Sequence, residues 1–423
     1  MKEKRFAHEN FPPEIQAKAD QMNLDPAAVP EYKAPELPLA GCVDHNEFER
    51  SVKPHLLDKF YELMYGEIPP VCDALEFKVT SEGRAFNGLA IRREIDIICK
   101  HHGDQQILRM LLYIPAAAQG PVPVIFGLNF LGNIATSEDP EVTFVPFERA
   151  PELGTIRYRD NRADESQRGC KAYRWEFEKV IRRGFAAATI CYHDIYFDRP
   201  DGFASSIMRF FYSAAEWNSN QRKSGAISAW AWGIFRALDC LEKQPEIDAR
   251  YIIVHGHSRL GKTALWAGAH DQRIWMTVSN CSGTCGAKLT HRYFGEDFSW
   301  LDLWNQRWFC SKFREYVNRD GEFPVDQHFL MAAIAPRYLY IASATDDVYA
   351  DPEGEFLSGK LASPVWNLYG KTGLESAEYP PHGKLIGEAV GYYLRNGDHE
   401  FMPENWDALL SFIEKHLTDE SPR

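Results

Sequence analysis

Residues 251–269 read YIIVHGHSRLGKTALWAGA. This is a short apolar strand, a turn carrying Gly256 and Gly261, and then a helix. Two chemistries fit it. In the first, Gly256, Gly261, Lys262 and Thr263 match GxxxxGKT, a loop whose backbone N–H groups cradle phosphates while Lys and Thr serve phosphate and magnesium. In the second, Gly256-His257-Ser258-Arg259 is a nucleophile elbow. It sets a serine hydroxyl above the sheet, with glycine two residues earlier where a side chain would clash. The match to GxSxG is imperfect, because Leu260 stands at +2 and Gly261 follows one residue later.

Placement separates the two. A phosphate-binding strand normally opens its domain, whereas here at least four strands precede it, and no partner strand ends in a magnesium-binding Asp. An elbow requires Ser, then an acid, then His in chain order, each past the carboxyl end of a strand. The apolar strand 337–344 (RYLYIASA) is followed by Thr345-Asp346-Asp347, and strand 390–395 by Asn396-Gly397-Asp398-His399. The phosphate reading leaves both unexplained. Asp347, Asp346 and Asp351 compete for the acid, since any of them could cap a turn. Ser258 could merely cap its helix, Arg259 could be a structural ion-pair residue, and Lys262 a solvated helix lysine. GDHEF is not HExxH, which removes a zinc protease. His255, His257 and His270 read as structural.

Working outward, spacing predicts a helix over 50–66, with Leu56, Leu57, Phe60, Leu63 and Met64 on one face and Gly66 closing it. Strands are expected at 89–99, 107–114, 122–128, 185–192, 251–255, 274–280, 337–344 and 390–395. Helices are expected at 175–182, 224–243, from 259, at 353–362 and at 404–416. This β-α alternation around continuous apolar strands predicts an α/β fold, a three-layer sandwich with a mostly parallel sheet. Residues 1–50 read as an N-terminal extension packed on the body, and 51–423 as one domain. Residues 134–174 read as a long loop over the sheet's carboxyl edge.

The 423 residues carry 47 basic and 60 acidic side chains, a net charge of −13, which argues against nucleic acid and anionic membranes as partners. No apolar run is long enough to span a bilayer. The start, MKEKRFAHENFPPEIQ, lacks the apolar stretch of a signal peptide, so a cytoplasmic location is expected, with secretion the alternative if an export signal is missing from this chain. Nine cysteines without a CxxC argue against a disulfide framework or zinc ribbon, and Cys281 and Cys285 read as small buried residues. Aromatics at 13%, with 11 Trp and 19 Tyr, suit a sugar-gripping surface or, equally, a large aromatic core.

From about residue 50 onward the chain resembles the glucuronoyl esterases, carbohydrate esterases with the α/β-hydrolase fold, in their bacterial form. The resemblance rests on YG-x-x-P at 65–69, GLNFLGN at 127–133, GHSRLGK at 256–262, and SG-x-x-GA at 282–287. It continues through RYFGE at 292–296, IAPR at 334–337, SATDDVYADPEGEF at 343–356 and GDHE at 397–400. It implies Ser258 as nucleophile, His399 as general base and Arg259 as a residue that helps bind the oxyanion. Lys262 and Glu296 would bind sugar hydroxyls. Two positions depart: Cys281 stands where many members carry a catalytic Glu, and Tyr349 where the family has a sugar-contacting Trp. Asp347 matches the acid position of other members. The implied reaction is acyl transfer on glucuronate or 4-O-methylglucuronate esters, with no metal or organic cofactor. The rival readings are a carbohydrate deacetylase or general carboxylesterase on the same scaffold and, further off, a nucleotide-binding protein.

Overall fold

The computed structural model describes residues 13–145, 165–376 and 378–420. Much of the expected long loop, 146–164, lies outside the described residues, as do 1–12 of the N-terminal extension. Ten strands make one sheet: β1 (Ala74–Ala85), β2 (Ala90–His101), β3 (Asp104–Pro115), β4 (Val122–Asn129), β5 (Ala186–Cys191), β6 (Ile247–His257), β7 (Ile274–Asn280), β8 (Tyr338–Ala344), β9 (Leu385–Gly387) and β10 (Val390–Arg395). Their order is β1-β2-β3-β5-β4-β6-β7-β8-β10-β9. The pairs from β5 through β10 are parallel, and the flanking pairs β1–β2, β2–β3, β3–β5 and β10–β9 are antiparallel. The α/β expectation holds, with the parallel character confined to the centre.

Strands covered on both faces must be apolar throughout, and β5, β7, β8 and β10 are buried along their whole lengths. Helix Arg259–His270 packs on β6 and β7, Pro352–Ala362 on β8 and β10, and Pro403–Glu420 on β10. Helix Ala226–Leu241 lies against Arg259–His270 and brings in the fully buried Trp230 and Trp232. Trp217, Trp266, Trp300 and Trp308 are also fully buried, so the tryptophan surplus builds the core.

Two strands escape the sequence reading. β1 pairs with β2 alone at the sheet edge and has no fully apolar face; its run ALEFKVTSEGRA alternates between exposed and half-buried positions. β9 is three residues long. β2 and β3 form a hairpin closed by His102 and Gly103, both at positive φ (47° and 83°), the conformation a two-residue turn demands. Residues 13–50 lie along the body: Lys18 Nζ meets Asp297 at 2.7 Å, Gly295 N–H donates to Asn23 O at 2.8 Å, and Phe48 is fully buried.

Helix Lys53–Leu63 buries Leu56, Phe60 and Leu63 on one face, followed by Met64. Gly66 turns the chain away with φ +78°, and a Cβ there would lie 2.2 Å from the Lys223 carbonyl oxygen. Gly66→Ala is therefore expected to cost roughly 3 kcal/mol, as a strained backbone and a backbone clash combine. Gly370→Ala, at φ +69° with open space around it, should cost only about 1 kcal/mol. Urea unfolding of the two variants measures the difference; equal losses would contradict the close approach at Gly66.

Candidate active site

β6 ends at His257 and the helix begins at Arg259, so the whole change of direction falls on Ser258, at φ 58° and ψ −130°. A non-glycine residue is held there only when its surroundings over-determine it. Ser258 N–H donates to Asn280 O of β7 at 2.9 Å, while Gly261 and Lys262 N–H groups donate to Ser258 O. A Cβ on Gly256 would lie 1.9 Å from Leu260 O, which fixes glycine at that position. The second glycine falls at 261 because that position faces Ser282, whose Cβ a new Cβ would approach to 2.9 Å. The Ser258 side chain makes no capping hydrogen bond to its helix.

The phosphate reading fails on the same residues. The Thr263 hydroxyl is buried and donates to Arg259 O at 3.0 Å, the bond of a helix-interior threonine. Lys262 is buried and its ammonium donates to Ser282 O.

β6, β8 and β10 run parallel, so the segments after them emerge on one edge of the sheet. There the ring of His399 stands 4.5 Å from that of His257, the neighbour of Ser258. His399 Nδ1 lies 2.6 Å from Asp347 Oδ2, with the Asp347 side chain fully buried and the imidazole 18% exposed. The other two acids go elsewhere. Asp346 is exposed, and Asp351 pairs with Arg292 at 2.5 Å and caps helix Pro352–Ala362 through Gly354 N–H.

Cys281, at φ 48°, places its thiol against Asp347, and burial pushes that thiol well above the usual range. A neutral thiol can donate to a carboxylate but carries no charge to stabilise an imidazolium. Glu355 lies close by, fully buried, with its carboxyl pushed up to about 8 by burial. It accepts from Ser343 Oγ at 2.5 Å and Gly283 N–H at 2.8 Å, fixing the turn after β7.

Arg259 donates to Asp198 at 3.0 Å and to Tyr192 Oη at 3.1 Å, with its guanidinium 5.2 Å from the rings of Phe130 and Trp308. Trp308 Nε1 also donates to Asp198, at 2.7 Å. The ion pair foreseen as a structural alternative for Arg259 thus exists, and it holds the side chain beside Phe130 of the 127–133 turn. Glu296 and Tyr349 are both buried and joined by a 2.9 Å bond from Glu296 N–H to Tyr349 O.

The sequence reading missed Asp198, Glu355 and a clamp on Glu400. Arg174 grips the Glu400 carboxylate through two nitrogens, Tyr173 Oη adds a bond at 3.2 Å, and Asn280 Nδ2 donates to Glu400 O at 3.2 Å. That amide also faces His257 Nδ1 at 2.8 Å. The motif GDHE showed Glu400, but nothing in a linear chain names Arg174, 226 positions away, as its partner.

A family model described as "Glucuronyl esterase, fungi" matches residues 185–370. Carbohydrate esterase MZ0003, from an unknown prokaryotic organism, is 36% identical over 416 residues, covering 96% of this chain and 94% of that one. A glucuronoyl esterase from Solibacter usitatus superposes with a TM-score of 0.85 at 36% identity, over 92% of this chain and 99% of the other. A structure described as a promiscuous CE15 esterase from the marine bacterial metagenome gives 0.84 at 36% identity, over 93% and 100%.

Because the Thr263 hydroxyl is engaged with Arg259 O inside its helix and cannot serve a magnesium ion, magnesium-ATP should leave the melting temperature unchanged. A saturable upward shift in a thermal melt would revive the phosphate loop.

Proposed function

The chain belongs to the glucuronoyl esterases, carbohydrate esterase family 15, and from that premise we propose which residues carry out its ester hydrolysis. It is a carboxylic ester hydrolase, acting on esters of glucuronic or 4-O-methylglucuronic acid. The carrying observation is the strained Ser258 turn on the sheet edge where His399 meets Asp347 at 2.6 Å.

Ser258 is the nucleophile. His399 takes its proton through Nε2 as Oγ attacks the ester carbonyl, while Asp347 receives Nδ1–H, fixes the tautomer and stabilises the imidazolium. The oxyanion is bound by backbone N–H groups of Arg259 and the 127–133 turn, with the Arg259 cation adding charge. His399 then protonates the departing alcohol, and water releases the acid by the same route. Lys262, Glu296 and Tyr349 contact the sugar, the last two set side by side by their backbone bond.

Residues 51–423 form the hydrolase domain and 1–50 an extension, a division supported by the contacts of Lys18 and Asn23 with segment 293–297. Among the described residues no helix is long and apolar enough to cross a membrane. A cytoplasmic placement, with small imported esters as substrates, is tested by fractionation: activity in the cytosol supports it, and activity in the medium or periplasm overturns it.

Relative rates on methyl glucuronate, an acetylated sugar and 4-nitrophenyl acetate test the substrate. Preference for the uronate supports the reading, and preference for acetyl esters replaces it with a deacetylase on this scaffold.

Ser258→Ala should abolish turnover with an unchanged melting temperature, and His399→Ala should do nearly the same, since triad losses do not add. Retention of more than a few per cent of activity by the serine variant would sink the assignment. Arg259→Ala should lower kcat on the order of 100- to 1,000-fold with little change in KM, because its charge matters most when the tetrahedral oxygen is negative. A change confined to KM would move Arg259 into substrate binding.

A further inference from the structure

The Cys281 thiol enters neither step of the hydrolysis, yet it sits against two groups that do. Cys281 Sγ, a carboxylate oxygen of Asp347 and a ring nitrogen of His399 all lie within 4.8 Å of one another. They arrive from three segments, following β7, β8 and β10, so the grouping is fixed by strand order. Asp347 is the central member, hydrogen-bonded to His399 Nδ1 at 2.6 Å and within 4.8 Å of the thiol sulfur. Cys281 and Asp347 are buried, and His399 forms the open side.

Sulfur, imidazole nitrogen and carboxylate oxygen together make a donor set suited to zinc-class cations and poorly suited to magnesium or calcium, which prefer oxygen alone. Zinc binds such donors at about 2.3 Å from sulfur and about 2.0 Å from nitrogen or oxygen, keeping ligand atoms roughly 3.2–3.7 Å apart in a tetrahedron. A triangle with no side above 4.8 Å reaches that geometry by closing its longest side by about 1 Å at most and opening the 2.6 Å Asp347–His399 contact by roughly 0.6 Å as its shared proton leaves. Three protein ligands would leave the fourth position for water.

We propose that Cys281, Asp347 and His399 form an inhibitory site for one zinc-class divalent cation. The exchange balances. The thiol gives up its proton to solvent, the imidazole moves its proton from Nδ1 to Nε2, and the Nδ1 lone pair, the thiolate and the Asp347 carboxylate bind the ion. One proton is released per ion, and the ligand charges neutralise the cation. The bound ion takes Nδ1 away from Asp347 and puts a proton on Nε2, the atom that must accept from Ser258. Turnover stops. This inhibitory part rests on the proposed roles of His399 and Asp347; the binding part does not.

The test uses the metal-free full chain carrying Cys170→Ser, which removes the exposed thiol. Cadmium titration, followed by thiolate-to-metal charge-transfer absorption and by proton release, should saturate at one ion and one proton per chain. Zinc should inhibit ester hydrolysis reversibly, with recovery on adding EDTA. Cys281→Ala and Cys281→Ser, each shown folded by its melting curve and normalised to its own metal-free rate, should lose the absorption and need at least tenfold more zinc for half-inhibition. Absorption absent in the parent, or unchanged in both variants, overturns the site. Saturating absorption at Cys281 with undiminished turnover overturns the inhibition and, with it, the catalytic roles of His399 and Asp347.

Discussion

One hydrogen bond organises the site: Asp347 Oδ2, fully buried, 2.6 Å from His399 Nδ1. It depends on two parallel strands keeping register past their ends. Ala344 of β8 stands opposite Arg395 of β10, and the ladder continues through Thr345 N–H to Arg395 O and Asp346 N–H to Gly397 O. Those bonds fix where each turn begins, so that the next side chains meet. Gly397, at φ +113°, provides the bend that a residue with a Cβ would resist. Beyond it, the Arg174 clamp on Glu400 and the Asn280 bond to Glu400 O hold the far side of His399.

Electrostatics around that bond are arranged with equal economy. Two neighbouring carboxylates in a buried space repel, and one of them takes up a proton. Glu355, pushed up to about 8 chiefly by burial with Asp347 adding to the shift, is the one that does so. Cys281 stays a thiol for the same reason, with burial first and the charge of Asp347 second. Arg259 is held by Asp198, whose other carboxylate oxygen receives Trp308 Nε1. A cation held in this way would stabilise an oxyanion without reorganisation.

The centre of the fold was legible because its physics is local. Continuous apolar runs announced the buried parallel strands, and Gly256-x-Ser258 between strand and helix announced the elbow. The order Ser258, Asp347, His399 past three strand ends announced the edge on which they meet. What stayed hidden was either edge structure or long-range pairing. β1 alternates Leu75, Phe77 and Val79 but the pattern stops where its register shifts between Val79 and Ser81, and three-residue β9 is too short to show a period. Asp198, Arg174 and Glu355 act through partners in other segments of the chain, and the sequence records their types but not their proximity. The choice among Asp346, Asp347 and Asp351 was of this kind. Each follows the same strand, and what separates them is which way the turn points them.

The central claim is that Asp347 is the acid while the buried Cys281 thiol contributes no charge. The most direct measurement is kcat of Asp347→Asn alone and combined with Cys281→Glu. Asparagine keeps the size, removes the charge and can hold His399 in the wrong tautomer, a change that costs a Ser-His-Asp hydrolase about 10⁴-fold. A loss of that order is expected in the single variant and partial recovery in the double, since the side chain at 281 lies within 4.8 Å of both Asp347 and His399. Near-normal kcat in Asp347→Asn, with collapse instead in Asp346→Asn or Asp351→Asn, would contradict it.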